Sequence, residues 1–135
     1  MRRIWKNGIF LPESEAICSL YDSSFLYSDG IFEMTRSFNK IPFKLDAHLN
    51  RLFDSAKFMQ MPMDFNFHQL KMGHEDLIMA NRREFAEDDE YRTFIHISRG
   101  PLPIYRDILE AKSWIVLTAY PLRWVLKGMS RFYGI

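Results

Sequence analysis

Cysteine occurs once in this chain, at Cys18. That excludes an intrachain disulfide framework and a cysteine-based zinc site, and points to a reducing compartment, read here as the cytoplasm. Charge of one sign is also missing. Eighteen Lys and Arg face seventeen Asp and Glu, for a formal net charge of +1, and the basic residues cluster only at Arg2-Arg3 and Arg82-Arg83. Recognition of a phosphate backbone needs a concentrated basic surface, so a nucleic-acid partner is not expected. No stretch approaches the roughly 20 apolar residues that span a bilayer, and "MRRIWKNGIF" lacks the apolar run of a signal peptide, so no membrane partner is expected either. Walker loops, GxGxxG and HExxH are absent, and the four His (His48, His68, His74, His96) lack metal-ligand spacing, so no metal site is expected.

What the chain does contain is bulk. Its 135 residues are 47% hydrophobic and 16% aromatic, with 12 Phe and 8 Met, enough for one packed domain and unlike a disordered segment. "RIWKNGIFLP" reads as a hairpin turning at Asn7-Gly8, two residues that tolerate positive φ. Residues 13–28 read as a loop. "GIFEMTRSFNKIPFKL" reads as a second hairpin, with Ile31, Glu33, Thr35 and Ser37 alternating with Phe32, Met34, Arg36 and Phe38, and with a turn at Asn39-Lys40. Pro42 assigns the return strand to an edge. Asp46 is the expected N-cap of a helix running to about 59. A second helix is expected over 65–85, weakened by Gly73. "EDDE" (87–90) reads as a solvated acidic turn. Strands follow over "YRTFIHISRG" (91–100), where Gly100, Pro101 and Pro103 break it, and over 113–121, the latter almost continuously apolar and therefore central. The order ββ-ββ-α-α-β-β predicts an α+β fold, a mostly antiparallel sheet with two helices packed on one face. After Pro121 no period is evident.

Candidate chemistry concentrates in two places. On the helix "LDAHLNRLFDSAKF", Leu45, Leu49, Leu52, Phe53 and Ala56 share an apolar face, which His48 and Arg51 do not join. In "ISRGPLPIYRD", Arg99 and Arg106 flank a Gly/Pro loop. Arginine grips phosphate or carboxylate in a forked geometry; equally, each of these could be a solvated or ion-paired surface residue. Glu33 and Asp29 could serve in acid–base chemistry, but the sequence pairs them with nothing.

The segment "YSDGIFEMTRSFNKIPFKLDAHLNRLFDSAKFMQM" resembles the N-terminal part of the class IV aminotransferases, the fold-type IV pyridoxal-phosphate enzymes. This family includes branched-chain and D-amino acid aminotransferases and aminodeoxychorismate lyase. Asp29, Gly30, Phe32, Glu33 and Arg36 match the family's first motif. Leu45, His48, Arg51, Leu52, Ser55 and Ala56 match its second, and the likeness runs from about residue 4 to 125. The resemblance implies pyridoxal 5'-phosphate as cofactor, with Arg51 contacting its phosphate. It places Phe32, Arg99 and Arg106 around the substrate and makes His48 a packing neighbour. It implies an enzyme moving an amino group between an amino acid, branched-chain among the candidates, and a 2-oxo acid, and working as a homodimer. Residues 1–120 correspond to the family's N-terminal domain and 121–135 to the start of its interdomain linker. The domain carrying the catalytic lysine lies outside the sequence, so no catalytic residue is assigned and the isolated chain is expected to be inactive. A lyase of the aminodeoxychorismate type and a non-enzymatic interaction domain stand as alternatives.

Overall fold

A computed structural model of the chain describes residues 1–105, 107 and 112–133. Six strands form one antiparallel sheet: β1 (Arg3–Lys6), β2 (Ile9–Pro12), β3 (Gly30–Phe38), β4 (Ile41–Pro42), β5 (Tyr91–Ser98) and β6 (Trp114–Pro121). They lie side by side in the order β2-β1-β6-β5-β3-β4. The expected α+β, mostly antiparallel architecture is therefore present. So is the central position of the apolar strand β6, which pairs with β1 on one side and β5 on the other. Both turns form where Asn begins them. Asn7 and Gly8 have φ of 49° and 89°, and Asn39 and Lys40 have 50° and 63°, the positive pairs of tight hairpin turns. The edge strand β4 contains Pro42, which pairs with Ser37.

Two helices, α2 (Leu45–Phe58) and α3 (Phe67–Asn81), cover one face of the sheet. Leu45, Leu49, Leu52 and Ala56 from α2, with Leu70 and Leu77 from α3, close over Trp5, Ile95, Ile97, Ile115, Leu117 and Ala119. Strand alternation supplies the sheet half of this core, and 3.6-residue spacing the helix half. Asn66 and Gln69 form a reciprocal capping box at the start of α3. Gly73 has a packing reason: a Cβ there would meet the Trp5 indole at 3.0 Å, and that ring is held edge-on against Phe65, 5.0 Å between centroids.

Four expectations are corrected. Asp46 does not cap α2. Lys44, at φ 51°, turns the chain so that the helix begins at Leu45, and Asp46 instead pairs with Lys71 of α3 at 2.8 Å. The 13–28 segment is not all loop: Asp22 caps a short helix, α1 (Ser23–Tyr27), by accepting from the Ser24 N–H. The acidic turn is solvated only in its first half, at exposed Glu87 and Asp88. Glu90 accepts from Ser37 Oγ and from the backbone N–H groups of Asn39 and Lys40, and buried Asp89 binds Arg123. Finally, the segment after Pro121 is a helix, α4 (Leu122–Tyr133). It is tied to that same turn by the Leu122 N–H to Glu90 O bond and by Arg123 on Asp88 and Asp89.

His74 of α3 is buried under the sheet, with Nε2 2.9 Å from Thr93 Oγ1 and no partner at Nδ1. Burial pushes its pKa down to about 4, so the folded chain holds it neutral. The unfolded chain protonates it near 6.5. Stability is therefore complete above about pH 6.5 and falls as pH drops toward 4, by up to about 3 kcal/mol. His96, also lowered by burial, adds to the same window. Urea midpoints between pH 4.5 and 7 are expected to show this slope, and His74→Gln to flatten it. Gly73→Ala is expected to destabilise by about 1 kcal/mol or more despite better helix propensity, because the Trp5 ring must shift.

Candidate functional site

The alternation of β3 sends Glu33 to the helix-covered face and Phe32 to the other. Glu33 is 5% exposed. A carboxylate buried there needs compensation, and the first turns of α2 provide it. Arg51 donates from Nε to Oε1 at 2.5 Å and from Nη2 to Oε2 at 2.7 Å, and His48 Nδ1 lies 2.8 Å from Oε2. His48 and Arg51 sit three residues apart and so lie on one flank of the helix. Burial alone would raise the Glu33 pKa; the bonds from Arg51 and His48 outweigh it and hold the carboxyl below its ordinary value. The same ion pair raises Arg51.

Arg51 nevertheless remains 68% exposed at its side chain. Its fork on Glu33 uses two of the five guanidinium N–H groups. The remaining donors face solvent at a site where a phosphate or carboxylate could dock. The donor set therefore fits a phosphate group, which Arg51 would hold by its free end.

Phe32 is 60% exposed and stacks on Phe94 of β5, 4.9 Å between centroids at 9°. The aromatic row continues through His96 to Trp114. Arg99 is brought to a different partner set. Its Nε donates to Asp29 Oδ2 at 2.7 Å, and its Nη groups donate to the carbonyls of Met59 and Gln60, just past the end of α2. It fastens the end of β5 to the start of β3 and to α2. Arg106 lies outside the described residues. Both acids that the sequence left unpaired thus have arginine partners, Glu33 with Arg51 and Asp29 with Arg99. Among the described residues no group of three or more His, Cys, Asp or Glu could hold a metal ion, and no helix is long and apolar enough to cross a membrane.

One feature escaped the sequence. Arg36 and Arg92 are direct cross-strand partners, on the face away from α2 and α3, where like charges opposite one another are unfavourable. They line a cleft of about 400 Å³ together with Met34, Phe43, His48 and Leu126 of α4, and among the described residues no carboxylate lines it. His48 touches both this cleft and Glu33. The signal was present in the alternation of β3, which places Arg36 on the Phe32 face, but locating Arg92 opposite it requires the strand register. Asp22 was also missed. It is buried, accepts from Ser24, Ser98 and the Trp114 indole N–H, and is held below its ordinary pKa; burial opposes this, and the bond from Ser98 is the largest of those that lower it. The signal was the Asp-Ser-Ser sequence of a helix cap.

The model of the amino-transferase class IV family matches residues 30–131. The chain is 44% identical over 55 residues to a putative branched-chain-amino-acid aminotransferase of Methanocaldococcus jannaschii, covering 41% of this chain and 19% of that protein. It is 32% identical over 97 residues to an aminodeoxychorismate lyase of Bacillus subtilis, covering 72% and 32%. Its fold is similar to that of the Escherichia coli branched-chain amino acid aminotransferase, with a TM-score of 0.75 at 20% identity over 90% of this chain and 41% of that one. It is likewise similar to the PLP-bound form of a hypothetical aminotransferase from Mycobacterium tuberculosis, with a TM-score of 0.75 at 19% identity over 96% and 43%. The chain thus spans a third or less of these curated relatives and about two fifths of the solved chains.

Arg99→Lys keeps the charge and loses the three-way fork. It is expected to lower stability by about 1 kcal/mol, read as a shift in urea midpoint; an unchanged midpoint would exclude Arg99 as the anchor of α2.

Proposed function

Because the chain belongs to the amino-transferase class IV family, we propose that it is the N-terminal part of a pyridoxal-phosphate aminotransferase. The complete enzyme moves an amino group between an amino acid, branched-chain side chains included, and a 2-oxo acid. Pyridoxal phosphate supplies the electron sink for that chemistry; this chain supplies recognition. Arg51 holds the phosphate by its free donors. Phe32, backed by Phe94, forms an apolar wall for the substrate side chain. Arg36 and Arg92, paired without an acid in their cleft, receive the substrate carboxylate. Arg99 acts from behind, locking the chain entering the Gly100 loop onto Asp29 and α2, and Arg106, later in the sequence, is a further candidate for the substrate carboxylate.

The single observation that carries this reading is the Glu33–Arg51 fork, which presents a solvent-facing guanidinium on the family's own motif. In the complete enzyme we place the protein in the cytoplasm, consistent with its one cysteine, and working as a homodimer, with small-molecule substrates rather than nucleic acid or membrane as partners. A lyase acting on aminodeoxychorismate is less well supported: branched-chain aminotransferases supply both the more identical of the two relatives and a close structural match. A stand-alone interaction domain leaves the gathering of Arg36, His48 and Arg92 along one cleft unexplained.

Titration of the chain with pyridoxal phosphate, followed by its absorbance and by ³¹P resonance, is expected to show binding that Arg51→Ala weakens about tenfold, the scale of one charge-assisted contact. Equal affinities would refute the phosphate assignment. Arg92→Leu is expected to leave phosphate binding intact and to weaken binding of a 2-oxo acid added alone.

A further inference from the structure

A guanidinium can grip an oxyanion by parallel bonds along either of two edges: Nε with one Nη, or the two Nη groups together. In Arg51 the first edge is committed. Its Nε–H and one Nη2–H bond the two oxygens of Glu33. Both N–H groups of Nη1 and the second of Nη2 remain, and they form the second edge at the far end of the fork. An exposed arginine would otherwise sample many rotamers, and freezing them upon ligand binding would cost affinity. Here the freezing precedes the ligand, because Glu33 is buried and cannot leave its charge unpaired. Glu33 is itself fixed from a second side by His48 Nδ1, so the carboxylate cannot follow Arg51 outward.

We infer that Glu33 is a positioning residue for phosphate recognition: it takes one edge of the Arg51 guanidinium and thereby aims the other at a phosphoryl group. This rests on the reading that Arg51 meets the phosphate. Glu33 touches neither cofactor nor substrate; it acts only through Arg51. Two opposing effects of one carboxylate are thus ranked. Its negative charge repels a dianion, but Arg51 and His48 already bond both its oxygens, so the aim outweighs the repulsion.

The experiment is a double-mutant cycle on the 135-residue chain, with pyridoxal phosphate and, separately, inorganic phosphate as probes at up to millimolar concentrations. Dissociation constants are read by ³¹P and arginine side-chain ¹H–¹⁵N resonances. Glu33→Gln, isosteric but uncharged, is expected to weaken binding roughly fivefold and to have no further effect in an Arg51→Gln background, the signature of a residue acting through another. Binding by Glu33→Gln as tight as wild type, or tighter, would overturn the inference, as would additive effects in the double variant. Both outcomes leave Arg51 as the phosphate contact. Failure of the wild type to bind, or an Arg51→Gln variant binding as well as wild type, would overturn the Arg51 reading instead, and this inference with it. If Glu33→Gln does not fold, Glu33→Asp keeps the charge and shortens its reach, and is expected to show the same loss. A folded Glu33→Asp chain with wild-type affinity would overturn the proposal.

Discussion

A carboxylate on the covered face of a sheet is the constraint from which much of this domain's organisation follows. Glu33 stands among Ile31, Thr35 and Ser37 on β3, where every other demand is for apolar or hydroxyl groups. A charge in that position is tolerated only when bonded on both oxygens. The compensation comes from a helix that begins five residues after a two-residue turn. The hairpin turn, the left-handed Lys44 and the phase of α2 must therefore agree, or His48 and Arg51 would not arrive over the strand. The same phase buries Leu45, Leu49, Leu52 and Ala56. Core and site are two flanks of one helix set at one angle.

A similar economy governs the far end of the domain. Glu90 closes the β3–β4 turn by accepting two backbone N–H groups and the Ser37 hydroxyl, while its neighbours Asp88 and Asp89 receive Arg123. Three consecutive acidic residues thus serve two elements that the chain separates widely. Arg2, stacked over the Trp124 ring at 4.3 Å, ties the N-terminal region to α4 as well. The helix α4 forms one wall of the cleft holding Arg36 and Arg92, so the shape of that cleft depends on charge pairs at its rim.

Much of this was legible in the sequence because it is local. Asn-Gly turns, the two-residue period of β3, the apolar stripe of α2 and the edge-seeking Pro42 each act within a few residues, and each appears where its local chemistry places it. What was not legible depends on register or on distant partners. The partnership of Glu33 with Arg51 spans a turn and a change of period. Asp89 looked solvated because Arg123 is far away in sequence. Asp46 looked like a cap because capping residues are common at such starts, but a left-handed Lys44 moved the boundary by two residues. The helix after Pro121 did carry a period: Leu122, Val125, Leu126 and Met129 recur at helical spacing and line one cleft, with exposed Trp124 the apolar residue that falls off that face.

The pairing of β1 with β6 carries a consequence for the time at which the domain can exist. Asn7 accepts the backbone N–H of Ile115 through its side chain, 108 residues later in the chain, and Trp5 reaches its place against Gly73 only when α3 is present. The hairpin β1–β2 leaves the ribosome before the rest of the sheet, yet a two-stranded hairpin alone is at best marginally stable in water. At ordinary synthesis rates it waits roughly 5 to 20 s for β6, with the Trp5 indole and the Ile4 side chain uncovered. Until β6 emerges the nascent domain therefore exposes apolar surface of the kind chaperones bind, and β1 waits for its second neighbour across almost the full span of the sheet.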